Sequence, residues 1–276
     1  MYTQVTMSEL QFIIGFFLFF FGASVGSFLN VLIYRTRKNQ PWLVGRSQCE
    51  SCKKQIAWYD NIPLLSFILL RGKCRHCHKI LSISHPIVEG LTGILFLWWY
   101  VVGSFFFQLT QQPFTMLQPL FWLFVGLILL FIFIYDYRYL IIPDWTVATL
   151  AIMALLYRIA LVLSGIMRPE DFFWTVFGAV AASGFFYAIW IITKHKGIGF
   201  GDIKLAAPLG LLMGWPVVWV GLWLASVIGA IVGLTLITAG KAKFGKPIPF
   251  GPFLIIGTLL ALVWGDTLIS WYATLI

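Results

Sequence analysis

The stretch Lys194-His195-Lys196-Gly197-Ile198-Gly199-Phe200-Gly201-Asp202-Ile203-Lys204 separates two long apolar runs. Its position decides what kind of protein this is, because an acid at the edge of apolar helices is costly and is a functional candidate by default. The glycines around Asp202 allow the backbone to approach that carboxylate more closely than side chains would permit. A flexible inter-helix loop whose aspartate caps the following helix accounts for the same residues. The choice between these readings depends on the rest of the chain.

Composition supports membrane helices on both sides of the loop. The 276 residues are 60% hydrophobic and 11% charged, with a mean hydropathy of +0.91; a soluble domain carries about 25% charged residues. The thirteen tryptophans and ten tyrosines suit anchoring at the two bilayer interfaces. A net charge of +9 does not by itself imply nucleic acid, and no nucleic-acid partner is expected, because membrane proteins gather Lys and Arg on their cytoplasmic side.

The first apolar run, residues 9–34, is long enough to span a bilayer. No Lys or Arg precedes it, whereas Arg35, Arg37 and Lys38 follow. A secretory signal has the opposite polarity, so a retained first helix is expected, with its N-terminus outside the cytoplasm. Its Gly22-Ala23-Ser24-Val25-Gly26-Ser27 segment offers a small-residue face for helix packing. Residues 35–86 then form a basic insertion, inside which the run Asn61–Leu70 is too short to cross a membrane. Further spans are predicted at 87–107, 117–135, 145–163, 172–193, 203–214, 217–239 and 252–273. The expected fold is therefore an all-α polytopic membrane protein of about eight transmembrane helices, with a small cytoplasmic insertion.

Charge orients this bundle. Ten of the nineteen Lys and Arg residues fall between Arg35 and Lys79. Arg138, Lys194, Lys196, Lys241, Lys243 and Lys246 occupy the other loops assigned to the same side. Sixteen thus lie inward, with Arg158, Arg168 and Lys204 the remainder. The short span 203–214 must cross for this pattern to hold, although about twelve residues would not span an ordinary bilayer unaided.

Two constellations carry chemistry. Cys49-x-x-Cys52 and Cys74-x-x-Cys77 are separated by twenty-one intervening residues, which resembles a four-thiolate structural zinc site. Two disulfides would need an oxidising compartment, whereas the charges place the segment in the cytoplasm, where thiols stay reduced. His76 and His78 flank the last cysteine as possible substitute ligands. The second constellation is Asp136 with Asp202. By the predicted topology both lie at the cytoplasmic membrane edge, each at the end of an apolar helix. Two close carboxylates do not both ionise easily, so one holds a proton while the other acts as base. Such a pair activates water against a peptide carbonyl and protonates the leaving amine. Interfacial acids solvated at helix ends would show the same agreement in depth. Asp144 is the other possible partner, but it follows Pro143 and opens the next span, an ordinary place for an acid. The chain has no Gly-x-Ser-x-Gly elbow, no His-Glu-x-x-His and no phosphate-binding Gly-x-x-x-x-Gly-Lys-Ser/Thr.

The ordered set of motifs resembles the type IV prepilin peptidase family, bifunctional leader peptidases and N-methyltransferases, through nearly the whole chain. The set runs from Gly26-Ser27-Phe28-Leu29-Asn30-Val31-Leu32-Ile33-Tyr34-Arg35 through both cysteine pairs, with Asn61-Ile62-Pro63-Leu64-Leu65-Ser66 between them, to Pro86-Ile87-Val88-Glu89. It continues with Asp136 eight residues before Asp144, Gly199-Phe200-Gly201-Asp202, and Ile248-Pro249-Phe250-Gly251-Pro252. His85 stands where the family often has a Tyr.

The resemblance implies that Asp136 and Asp202 are the paired catalytic aspartates and that the substrates are prepilins or pseudopilins with a short basic leader. It implies cleavage after the leader's terminal Gly at the cytoplasmic face of the bacterial inner membrane. It also implies N-methylation of the new terminus from S-adenosylmethionine; no Gly-rich nucleotide fingerprint marks where that donor binds. The expected division is a first helix (9–34), a zinc-binding insertion (35–86) and a membrane aspartyl peptidase bundle (87–276). Gly199 and Gly201 are expected to keep the backbone slim beside Asp202. Two rivals are an ion-coupled transporter with a zinc-stabilised domain, whose acids would sit near the midplane of repeated halves, and a presenilin-like protease. The zinc insertion and the early Gly-Ser-Phe-Leu-Asn stretch argue against the second.

Overall fold

A computed structural model describes residues 7–42, 44–106, 113–241 and 247–275, with the side chains of 7, 8 and 102–117 left out. Lys243, Lys246 and Phe107, which belong to the charge count and to a predicted span, lie outside the described residues. Nine α-helices are described: α1 (Met7–Arg37), α2 (Leu65–Leu69), α3 (Ser84–Phe106), α4 (Pro113–Tyr139), α5 (Asp144–Leu163), α6 (Pro169–Ile192), α7 (Phe200–Met213), α8 (Val217–Thr238) and α9 (Gly251–Ala273). Among the described residues there is no strand, only two isolated bridges, Gln48 with Gln55 and Lys73 with Ile80.

Among the described residues, six helices are long and apolar enough to cross a membrane: α1, α4, α5, α6, α8 and α9. Two predicted spans fall outside that set. At 14 residues, α7 is about 21 Å long. The side chains of α3 are described only as far as Val101. Helix boundaries follow local chemistry. Pro169 opens α6 at a position where its missing N–H has no helical partner. Glu170 and Asp171 follow in the first turn, where acids favour the helix dipole. After α4 the chain turns through Leu140 at a φ of +55° and restarts at Pro143.

The chain forms two compact units, residues 1–127 and 128–276. In the first, α1 packs along α3 through small residues, as the Gly22–Ser27 face predicts. A Cβ on Gly22 would lie 2.9 Å from Phe96, and one on Gly26 would lie 2.8 Å from the Cα of Glu89. In the second, short α7 is the hub, touching α5, α6, α8 and α9. Its Ile203, Leu205, Ala206, Pro208, Leu209, Leu212 and Met213 are all buried. A Cβ on Gly210 would meet the backbone of Ala179 at 2.6 Å, so glycine is what lets α6 and α7 approach so closely.

A helix this short needs help where it stops. Arg158, on α5, donates from Nε to the carbonyl of Leu211 at 2.8 Å and from Nη2 to that of Leu212 at 2.7 Å. These are last-turn carbonyls, which have no partner within their own helix.

Candidate active site and metal centre

Asp202 lies in the first turn of α7 rather than in the loop before it, with Gly199 as the N-cap. Its Oδ2 accepts the N–H of Gly199 at 3.2 Å. The helix-capping role considered from sequence is thus physically present. A cap on a surface helix would be solvated, however, whereas Asp202 is only 7% exposed.

Asp136 lies one turn before the end of α4 and is 5% exposed. Its Oδ2 accepts the N–H of Gly251, the first residue of α9, at 3.1 Å. The two aspartates are therefore held alike, each by a glycine N–H at a helix N-terminus, where the dipole favours negative charge. Neither Oδ1 accepts a hydrogen bond from the described residues. Asp136 acts electrostatically on Asp202, and the buried side chain of Ile142 links their surroundings. A Cβ on Gly201 would lie 3.2 Å from Ile142 Cβ, and one on Gly251 would lie 3.3 Å from Ile142 Cδ1. Two buried carboxylates in electrostatic reach have the composition of a general acid–base pair.

The flanking residues have other partners. Asp144 is exposed and forms an ion pair with Lys204, whose Nζ also lies 5.2 Å from the centre of the Phe200 ring. His195 stacks on Trp190 with ring centres 3.7 Å apart. Gly251 is the residue that sequence reading missed. From sequence it stands within the motif Ile248-Pro249-Phe250-Gly251-Pro252 with no role of its own, and the available signal is a glycine N–H beside a helix-opening proline. Gly201 faces Ile142, while a Cβ on Gly199 would lie 3.1 Å from Asp202 Oδ2.

The four cysteines converge in the other unit. Their sulfurs lie within 4.8 Å of one another, and Cys49 and Cys77 are 3.9 Å apart. All four are free thiols. The two loops repeat one geometry. Cys49 N–H donates to Lys54 O and Lys53 N–H to Cys49 O; Cys74 N–H donates to Lys79 O and His78 N–H to Cys74 O. Lys53 and His78 occupy the same place in each loop, with φ of +59° and +55°. The N–H groups of Cys77 and His76, aimed at the Cys74 sulfur, hold its thiol down at about 7. Thiolate is the form that binds metal. Four sulfurs at these separations fit a tetrahedral ion with metal–sulfur distances of about 2.3 Å. Neither His76 nor His78 belongs to the cluster. Arg75, inside the second loop, clamps Asp60 with bonds of 2.6–3.1 Å and holds that carboxyl below its ordinary range. The clamp ties the metal loop to the 3₁₀ turn Trp58–Asn61.

Two family models match the chain. One, described as the bacterial peptidase A24 N-terminal domain, covers residues 20–103. The other, described as the type IV leader peptidase family, covers residues 123–234. A protein of Aeromonas hydrophila named prepilin leader peptidase/N-methyltransferase is 34% identical, over 93% of this chain and 92% of its own. The chain belongs to the type IV leader peptidase family. Other family members bear the same name: one of Pseudomonas aeruginosa is 32% identical over 91% of this chain and 90% of its own. One of Bacillus subtilis is 28% identical over 92% and 96%. No solved structure matches. Membership of this family lends no support to the transporter considered from sequence.

Proposed function

We infer that this chain removes the basic leader from type IV prepilins or pseudopilins and N-methylates the residue thereby exposed. The observation that carries the peptidase reading is the pair of buried aspartates, each steadied at Oδ2 by one glycine N–H. In this reading one carboxyl is protonated and the other ionised. The ionised oxygen takes a proton from water as that water attacks the scissile carbonyl, and the protonated one hands its proton to the leaving amine. The Oδ1 atoms are assigned this work, because Oδ2 of each is already engaged. Gly199 leaves space beside Asp202 Oδ2, and Gly201 lets the start of α7 pack against Ile142, which keeps the turn slim beside the carboxylate. An apolar substrate helix can enter from the bilayer, which brings its leader junction to the membrane edge.

The chemistry of cleavage is assigned to the bundle of 87–276, behind the first helix (9–34) and the insertion (35–86). With α3 and α7 added to the six candidate spans, the chain crosses the bacterial inner membrane about eight times. The N-terminus lies outside, and the insertion and both aspartates lie on the cytoplasmic side. The uneven distribution of Lys and Arg supports that orientation. Cys49, Cys52, Cys74 and Cys77 would hold zinc in a closed structural site, which stabilises a small domain and leaves no position open for chemistry. S-adenosylmethionine, when bound, supplies the methyl group.

The test is co-expression with a prepilin in cells lacking their own leader peptidase. Asp136→Asn and Asp202→Asn each abolish leader removal while the protein still inserts and retains zinc. Full processing by either variant removes that aspartate from the mechanism. Mass analysis of pilin processed by the wild type shows one added methyl group, and a bare amine would leave a peptidase only.

A further inference from the structure

We propose that Asp144 is the acceptor for the basic leader of the substrate, and that Lys204 occupies it as an internal stand-in until a leader Lys or Arg takes its place. The proposal rests on the leader-peptidase reading above and adds a specificity-determining residue to that site.

Charge in the second unit singles out Asp144. Residues 128–276 contain six acids: Asp136, Asp144, Glu170, Asp171, Asp202 and Asp266. Asp136 and Asp202 are buried. Glu170 and Asp171 open the 24-residue α6, about 36 Å from its other end, where the chain leads on to Asp202. Asp266 stands fifteen residues along α9 from Gly251, about 22 Å from the end that holds Asp136. Asp144 remains, in the first turn of α5 with its side chain 80% exposed. The loops and helix ends on this side carry Arg138, Lys194, Lys196 and Lys241. A basic segment arriving there meets like charge, which is costly, except at this one carboxylate.

Lys204 shows what that carboxylate holds. Its Nζ donates to Asp144 Oδ1 across 60 residues of sequence. The first turns of a helix are an unfavourable place for a cation, and the ion pair offsets that cost. A pair this exposed is worth little on balance, and the amine has a second seat over the Phe200 ring, 5.2 Å from its centre. Lys204 can therefore yield the carboxylate without losing every partner. An arriving Arg brings a planar fork that grips both carboxylate oxygens, which a lysine ammonium does not.

The position suits a leader. Asp144 follows Asp136 by eight residues, and Lys204 follows Asp202 by two, about 3 Å along the helix. An extended substrate advances about 3.3–3.6 Å per residue. A basic side chain a few residues before the scissile bond thus comes within range of Asp144 while that bond lies at the aspartates. A structural clamp between the starts of α5 and α7 would use the same two residues, and the charge of the substrate separates the two roles.

The experiment uses the full chain in proteoliposomes with two prepilins, one with its natural leader and one with every leader Lys and Arg replaced by Gln. Asp144→Asn raises KM for the basic leader by about three- to fivefold, keeps kcat, and leaves KM for the Gln leader as it was. Lys204→Met frees the carboxylate and lowers KM for the basic leader alone. Recognition requires these opposite signs, because a clamp is broken equally by the loss of either partner. Both variants impairing both prepilins to the same degree overturns the proposal. Should Lys204→Met lose kcat through a disturbed α7, the effect of Asp144→Asn across the two leaders decides by itself. A wild type that cleaves neither prepilin removes the peptidase reading, whereas one that cleaves both with equal KM removes only the role of Asp144.

Discussion

The carboxylate of Asp136 accepts the backbone N–H of Gly251 at 3.1 Å, across 115 residues of sequence. Asp202 is held in the same manner by Gly199, three residues away. One aspartate is thus positioned by its own helix start, and the other by a helix start from the far end of the chain. The second arrangement depends on folding, and a small change at Gly251 tests it.

A Cβ on Gly251 would sit 2.7 Å from Asp136 Oδ2, closer than real Cβ atoms approach. Gly251→Ala must therefore shift the carboxylate or the start of α9. In the proposed mechanism Asp136 is catalytic, and displacing such a group by about 1 Å costs on the order of 100-fold in rate, so a loss of that size in leader removal is expected without loss of inserted protein. Gly184→Ala is the control, since nothing lies within 4 Å of the added carbon. Time courses of prepilin processing by the two reconstituted variants measure the difference.

Arg158 is expected to matter for stability because it closes α7 below Asp202. Arg158→Leu leaves the carbonyls of Leu211 and Leu212 without these donors, at about 1–3 kcal/mol for each buried group left unpaired. Thermal unfolding in detergent reports the loss as a lower midpoint. Lys, a single compact charge without the planar fork, restores only part of it. An unchanged midpoint in Arg158→Leu would show that α7 needs no such cap.

Removal of metal should act on the first unit. Cys74→Ser takes one thiolate from the four-sulfur cluster, and zinc content measured on purified protein falls from about one per chain toward none. Because Arg75 ties the second loop to Asp60, loss of metal also frees the turn Trp58–Asn61. Limited proteolysis reads that as new cleavage between the two cysteine pairs. Retention of a full equivalent of zinc by Cys74→Ser would point to a different ligand set.

Much of this was legible before folding. Apolar runs and the position of Lys and Arg depend on composition along the chain, so the helices and their order could be read directly. The paired Cys-x-x-Cys spacing likewise encodes its own loop geometry, because each loop closes its hydrogen bonds within six residues. The boundary at Asp202 was less legible: a Gly-rich stretch reads as a loop, yet Gly199 serves as the N-cap and the helix begins at Phe200.

Tertiary structure alone decided the rest. The pairing of Asp136 with Gly251, of Arg158 with the end of α7, and of Ile142 with both Gly201 and Gly251 joins residues far apart in sequence. No local periodicity records such contacts, because a helix repeats only over three or four residues. The sequence determined which helices form and which residues carry charge and sulfur. Packing determined which acids are buried and what holds them.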